Sequence, residues 1–505
     1  MDARLRAVCD LMVPEAREFA GLHDYDGQVQ DLSPDGVRRG LAALGNGPPL
    51  AHPHDEAHLA AFEQLHRVGL GELELHRRNV LPHLANLDLA SYDKDYAPAA
   101  ERATARTRHL ARWPAAVDAA LAALDRLSAP VAAALTDAVR GLAAGLDSDR
   151  SEVEARALAA QGRFLAHVRR CAENGDPNAA LGADALARLL GSGEALEVDL
   201  GALARRADAE RDRLRAMLTE ACDRLAPGRP PAELVAELVA DHPGPDGVLD
   251  EARALTAEVI AYTRARHLVP HTDGECRVEP SPESRRWAMA MLTPAAPEEP
   301  DGPSYYYVTP PDPSWPAAEQ EEWLSVFSRT TLPVITAHEV APGHFTHCRS
   351  LRVAPTPVRR ILAGATFIEG WAHYAEELFV EDGFHADDPR FAIGVAVEAL
   401  IRVTRFACAI GIHTGAMTVD DAAARFGTDG FLAGPAARSE AMRGTFDPTY
   451  GRYTWGKLAI RDLRTQARRL WGADYTDLRL HTALMELGSP PLGLIGTAVS
   501  PPRSD

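Results

Sequence analysis

Several things are scarce in this chain, and each scarcity narrows what it can be. Cysteine is sparse: six in 505 residues, at Cys9, Cys171, Cys222, Cys276, Cys348 and Cys408, with no C-x-x-C pair. That spacing excludes a disulfide scaffold and favours a reducing compartment. Aromatic residues make up only 6%, whereas Ala, Leu and Arg abound, a mixture that favours helix over sheet. Basic charge is in deficit: the formal net charge is −19. A surface of that sign does not suit sequence-independent nucleic-acid binding or docking on an anionic membrane. No apolar run reaches the length of about 18 residues needed to span a bilayer. The opening stretch MDARLRAVCDLMVPEAREF carries acidic residues where a signal peptide needs an apolar core, so the expected location is cytoplasmic. No G-x-S-x-G occurs, which argues against a serine hydrolase of the nucleophile-elbow kind.

What remains is a helical protein too long for one small core. PAAVDAALAALDRL and PVAAALTDAVRGLAAGL repeat apolar residues at helical spacing, as do Ser151 to Arg169 and Leu200 to Leu225. These read as helices packed antiparallel on one another, from Pro114 to about Leu225. The break LAPGRPPAELV suggests a soft boundary, with a helical region over 1–230 and a catalytic region over 231–505, or one continuous helical fold. After Leu268, VPHTDGECRVEPSP and TPAAPEEPDGPSYYYVTPPDPSW read as turns and loops. WAMAML and SYYYVTP between and within them are short strand candidates. Helical pattern returns at Ala317 to Ser328, Pro357 to Phe379, Asp387 to Thr414, Asp420 to Phe426 and Gly456 to Trp471.

The informative segment is TLPVITAHEVAPGHFTHCRSLR. In the zinc motif H-E-x-x-H, two histidines four residues apart share a helix face, and the glutamate sits beside the metal's water. Here His338-Glu339 opens the pattern, but the fourth position is Pro342 and the next histidine is His344. A regular helix would turn the two side chains well apart. Proline removes a backbone donor and loosens the helix, and Gly343 permits unusual angles. The expectation is one helix with a widened turn that returns His344 to the side of His338, with His347 the alternative second ligand. A third ligand is needed, and Glu369 in ATFIEGWAHYAEELF is the candidate, on a helix face shared with His373 and Glu376. Gly370 and Ala372 are expected to let the motif helix approach. Glu376 is either a carboxylate that orients a ligand histidine or a solvated helix charge.

Together these motifs, H-E-x-x-P-G-H and then E-G-W-A-x-Y-A-E, resemble those of the bacterial family called domain of unknown function 885. EFAGLHDYDGQVQDLSPDGV, IGIHTGAMTVDDAAARF, FDPTYGRYTWGKLAIRDLR and LGSPPLGLI are similar to further blocks of it. Family members look like zinc peptidases of the gluzincin kind. The resemblance implies a mainly α fold: a large helical body with a deep cleft and a small β-element beside the metal-site helix. It implies metal roles for His338, His344 and Glu369, a base role for Glu339, and cleft positions for His413, Tyr450, Tyr453 and Lys457. One departure is Ala409, where an aspartate usually precedes the G-x-H segment.

The resulting expectation is a Zn²⁺-dependent hydrolase, most simply a peptidase acting on a peptide or small amide. Glu339 serves as general base. Tyr453 is the first candidate to stabilise the oxyanion, with Tyr450 and His413 behind it. Ser304 to Thr309 could pair with an extended substrate as an added strand. Two rivals use the same residues: an amidase or esterase for small non-peptide molecules, and a non-catalytic helical scaffold that keeps the metal for stability. A peptide library beside an ester panel separates the first rival. An ion with no open coordination position marks the second.

Overall fold

Ala- and Leu-rich segments whose apolar residues recur at helical spacing must bury one face, and capping side chains decide where they begin. Ser151 accepts from the Glu154 N–H at the start of the helix Glu152–Asn174, and Asp199 accepts from Ala202 N–H at the start of Leu200–Leu225. Thr418 and Asp421 form a reciprocal capping box ahead of Val419–Gly430. The computed structural model describes residues 1–500 except 283, 284, 287, 300, 301 and 433. Helix takes up 66% of the chain and strand 3%, so the body is helical and the strands are a local device. No helix among the described residues is long and apolar enough to cross a membrane. All six cysteines are free.

In the N-terminal half, the helices Ala99–Ala123 and Ala129–Gly141 both pack on Glu152–Asn174. Trp113, Val117, Leu135 and Phe164 fill the space between them. The first of these helices starts well before Pro114, which lies inside it. The helix Leu200–Leu225 leaves this group and runs along Pro389–His413. Leu203, Leu214 and Leu218 share a core with Leu400, Val403, Phe406 and Trp455, so one apolar core spans both sides of residue 230.

The segment read as one helix from Pro357 to Phe379 is two, Pro357–Ile361 and Ala365–Asp382. Between them Gly364 donates its N–H to the Ser489 carbonyl at 2.8 Å, and that long-range pairing replaces helical hydrogen bonds.

A three-stranded sheet lies beside the C-terminal helices in the order β1-β3-β2, where β1 is Cys276–Pro280, β2 Ala290–Thr293 and β3 Ser304–Val308. β1 pairs parallel to β3 and β2 antiparallel to it, with Leu292 opposite Tyr306. β1 falls in a stretch that composition assigned to loops; it becomes a strand because β3 offers it a partner. Two strand expectations were SYYYVTP, which is β3, and WAMAML, which contributes β2 while its Trp287 lies outside the described residues. Being central, β3 has both edges occupied, so it cannot add a substrate strand. The edge nearer the histidine motif belongs to β2 instead.

Candidate metal centre

The His338 helix, Leu332–Glu339, is buried along most of its length, so its apolar sequence carries His338 into the core. It stops at Glu339. Residues 340–343 are not helical, the Ala341–Pro342 peptide is cis, and a new helix, His344–Leu351, begins at the second histidine. The expected single helix with a widened turn is therefore two helices joined by a tight corner. The reason is steric. The Gly343 N–H donates back to the Ala337 carbonyl at 3.1 Å, and a Cβ at 343 would lie 1.9 Å from the His338 carbonyl oxygen. Only glycine lets the chain fold this closely onto the helix it has just left. The corner is held from outside by Trp371, whose indole Nε1 donates to the Pro342 carbonyl at 2.9 Å.

This corner puts the His338 and His344 rings 4.7 Å apart and nearly perpendicular, at 85°. The Glu369 Oε2 lies 3.5 Å from the Nε2 of each. Two ligands about 2.1 Å from one tetrahedral ion stand about 3.4 Å apart, so both Glu369–imidazole separations match an edge of such a shell. Glu339 also brings a carboxylate oxygen within 4.8 Å of the two imidazoles. Its Oε2, however, accepts from the Leu292 N–H of β2 at 2.7 Å. Glu369, with one oxygen 3.5 Å from both imidazoles, is the candidate third corner, and Glu339 stands between the histidines and the strand edge.

Three consecutive residues of the Glu369 helix, Ala365–Asp382, serve three neighbours because each step turns about 100°. Glu369 faces the histidines and Trp371 the Pro342 corner. Gly370 meets Gly456, where a Cβ would come within 2.4 Å of the Gly456 Cα. The small residue was expected to admit the motif helix; it admits the helix Arg452–Trp471 instead.

Seven residues beyond Glu369, and so nearly on the same face, is Glu376. It is fully buried and accepts from His338 Nδ1 at 2.6 Å, from His373 Nδ1 at 3.0 Å and from Arg402 at 3.2 Å. The solvated alternative for Glu376 is thereby excluded. Its bond fixes the proton of His338 on Nδ1 and turns Nε2 toward Glu369. Burial opposes the charged imidazole of His338, but Glu369 and Glu376 outweigh it and push its pKa up to about 9. Burial would raise Glu369 itself, yet the two histidines hold it well below the usual carboxylate range. Behind Glu376, burial pushes His373 down to about 3, so it is a neutral donor. Replacing Glu376 by glutamine is expected to weaken metal binding about 10- to 100-fold, measured by competition with a chromophoric chelator; unchanged affinity would remove Glu376 from the site.

The remaining expected residues separate. Tyr453 packs beside His338, with ring centroids 6.5 Å apart. Tyr450 is fully buried with its hydroxyl committed to Glu440, whose carboxylate also pairs with Arg405. That hydroxyl is a packing group, not a donor to substrate. His413 lies eleven residues along its helix from Arg402, about 16 Å, buried near Gly444 and Asp447 with its pKa pushed down by burial to about 4. The structure does not bring it to the histidine pair. His347 turns the other way, its Nε2 3.2 Å from the Ser489 hydroxyl and its ring against Phe367.

A model of the family described as "Bacterial protein of unknown function (DUF885)" matches residues 14–499. The chain belongs to that family. Two solved structures share the DUF885 chain's fold. A candidate lipoprotein of unknown function from Shewanella oneidensis is 19% identical, with a TM-score of 0.76 over 98% of both chains. A candidate lipoprotein from Colwellia psychrerythraea is 15% identical, with a TM-score of 0.79 over 98% of this chain and 97% of that one. No curated protein matches.

Lys457 of this DUF885 chain, expected in a cleft, is instead buried between Glu377 at 2.5 Å and Glu210 at 2.6 Å. Arg213 bridges the same two carboxylates at 2.7 and 2.8 Å. Burial would raise both acids; Arg213 and Lys457 overcome it and hold each at about 2. Lys457→Ala should lower stability by about 3 kcal/mol, because it leaves buried carboxylates short of a partner. Both folded pKa values are depressed, so what these acids contribute is complete above their unfolded pKa of about 4.3 and is lost as pH falls from there toward 2. Denaturant melts at pH 7 and pH 3.5 check both points: the gap between wild type and variant should narrow at the lower pH.

Composition and spacing did not reveal Arg402, Arg405 and Arg443, which lie outside the motif blocks on either side of them. The signal for Trp371 was present, in the E-G-W triplet, but its partner Pro342 is visible only in three dimensions.

Proposed function

We propose that this protein is a zinc-dependent hydrolase, and specifically a peptidase, with His338, His344 and Glu369 as metal ligands and Glu339 as general base. The observation that carries the reading is the pair of 3.5 Å separations from one Glu369 oxygen to two imidazole nitrogens. Three donors on three separate helices have no structural need to converge so tightly, and His₂Glu with a neighbouring unligated glutamate is a catalytic zinc donor set. Zinc held there would supply a water acidified toward neutrality and a Lewis acid for the substrate carbonyl.

The protein's own part follows from the geometry. Glu376 keeps His338 in the tautomer that offers Nε2. Glu339 takes a proton from the attacking water and returns one to the leaving amine. Tyr453, beside His338, donates to the developing oxyanion. The Leu292 N–H points away from β3 toward Glu339, so an extended peptide laid on the outer edge of β2 would run past the histidines. A gluzincin-like cleft between that edge and the Glu369 helix is part of the same proposal. The strand edge favours a peptide over a compact ester or amide.

The test combines metal analysis of the purified protein with digestion of a peptide mixture, with and without chelator. A single zinc per chain and chelator-sensitive cleavage are expected. A fully zinc-loaded protein that cleaves no peptide would overturn the proposal.

A further inference from the structure

Three arginines, Arg405, Arg443 and Arg452, stand around Tyr453 with the carboxylates Glu440 and Asp447, and Glu369 also faces Arg452. Arg405 is paired with Glu440 through two bonds, at 2.8 and 2.6 Å, and stacks over the Tyr453 ring at 5.3 Å. Arg452 takes Asp447, which also accepts from Thr449 at 3.2 Å. Arg443 is left with long contacts only: 3.5 Å to the other Asp447 oxygen and 3.4 Å to the Tyr453 hydroxyl. Its guanidinium lies over the Tyr450 ring at 4.9 Å, and the side chain is 34% exposed.

Arginine's planar fork forms its strongest bonds as a close, two-pronged pair with a carboxylate. Arg443 makes no such pair among the described residues, although its chain carries a net charge of −19. Tyr450 and Tyr453 hold it in place, and part of the side chain stays exposed. Its contact with Tyr453, whose ring adjoins His338, keeps the guanidinium within about 13 Å of that imidazole, no more than about four residues of extended chain.

We propose that Arg443 is a specificity residue that binds a carboxylate of the substrate, within about four residues of the bond that is cut. The carboxylate is either the peptide's own C-terminus or an Asp or Glu side chain. This rests on the peptidase reading above and adds the substrate's charge to it. Arg443 acts by holding the substrate, so its loss falls first on KM; any accompanying change in kcat, shared by all substrates, reports its 3.4 Å contact with the Tyr453 hydroxyl.

The probes are N-acetylated peptides of two to six residues in three forms: free C-terminus, C-terminal amide, and C-terminal amide with one internal Asp. Cleavage is followed with the zinc-loaded wild type, Arg443→Gln and Arg443→Lys. Binding is followed separately by calorimetry in a Glu339→Gln background, which does not depend on turnover. Arg443→Gln is expected to weaken binding of one carboxylate-bearing form roughly 10- to 100-fold, to leave the plain amide within about 2-fold, and to be partly rescued by lysine. Loss confined to free C-termini assigns the terminal carboxylate; loss confined to the Asp peptides assigns a side chain. Equal binding of all three forms by wild type, no binding of any, or equal loss on all three in Arg443→Gln overturns the proposal. If carboxylate-dependent binding survives while no peptide is cleaved, the peptidase reading fails and the anion subsite stands.

Discussion

Glu339→Gln is expected to abolish hydrolysis, by a factor of at least roughly 100, while metal content stays at the wild-type level. Glutamine keeps the shape of the side chain and an oxygen that can still accept from the Leu292 N–H, so the corner and the strand edge should remain in place. What it lacks is the basicity to take a proton from water. The proposed donors to the ion are His338, His344 and Glu369, none of which is touched. Steady-state assays beside metal analysis decide the matter, and turnover near the wild-type rate would remove Glu339 from the mechanism. Loss of metal would show instead that Glu339 is itself a ligand, which its place 4.8 Å or less from both imidazoles makes the natural rival role.

His344→Ala should strip the metal, and His347→Ala should not. The two side chains are three residues apart on one short helix, so composition, charge and helix propensity change alike. Their surroundings differ. His344 Nε2 lies 3.5 Å from the Glu369 carboxylate, whereas His347 points to Ser489 and Phe367. Loss of a direct donor should reduce affinity by more than the roughly 100-fold upper limit expected for a supporting residue such as Glu376. Metal content after dialysis and chelator competition provide the comparison. If the metal disappears from His347→Ala and persists in His344→Ala, the ligand set is wrong.

The donor residues were legible because their spacing is a local property. His338-Glu339, Pro342-Gly343-His344 and Glu369 with Trp371 stand in two short runs, and helical periodicity alone puts Glu376 on the face of Glu369. The corner was harder. From the sequence, a Pro-Gly interruption implies a bent helix; the break into two helices depends on the Gly343 backbone resting against the His338 carbonyl and on the Trp371 bond. The small residue at 370 was read correctly as a close approach but assigned to the wrong neighbour, because a missing Cβ does not say which backbone fills its place. Lys457 and Tyr450 looked like cleft groups by their motifs, and burial beside Glu377 and Glu440 turned them into structural ones.

By itself the sequence determined a helical body, membership in one family, and the candidate ligands His338, His344 and Glu369. Those are matters of composition and near-neighbour spacing, which each segment carries wherever the rest of the chain goes. Only the tertiary structure decided which strand edge faces Glu339, that Glu376 is buried against His338, and that Arg443 makes no close two-pronged pair with a carboxylate among the described residues. Those depend on segments tens to hundreds of residues apart meeting in one place, and on the loss of water there, which turns a charged side chain into either a satisfied partner or an open binding group.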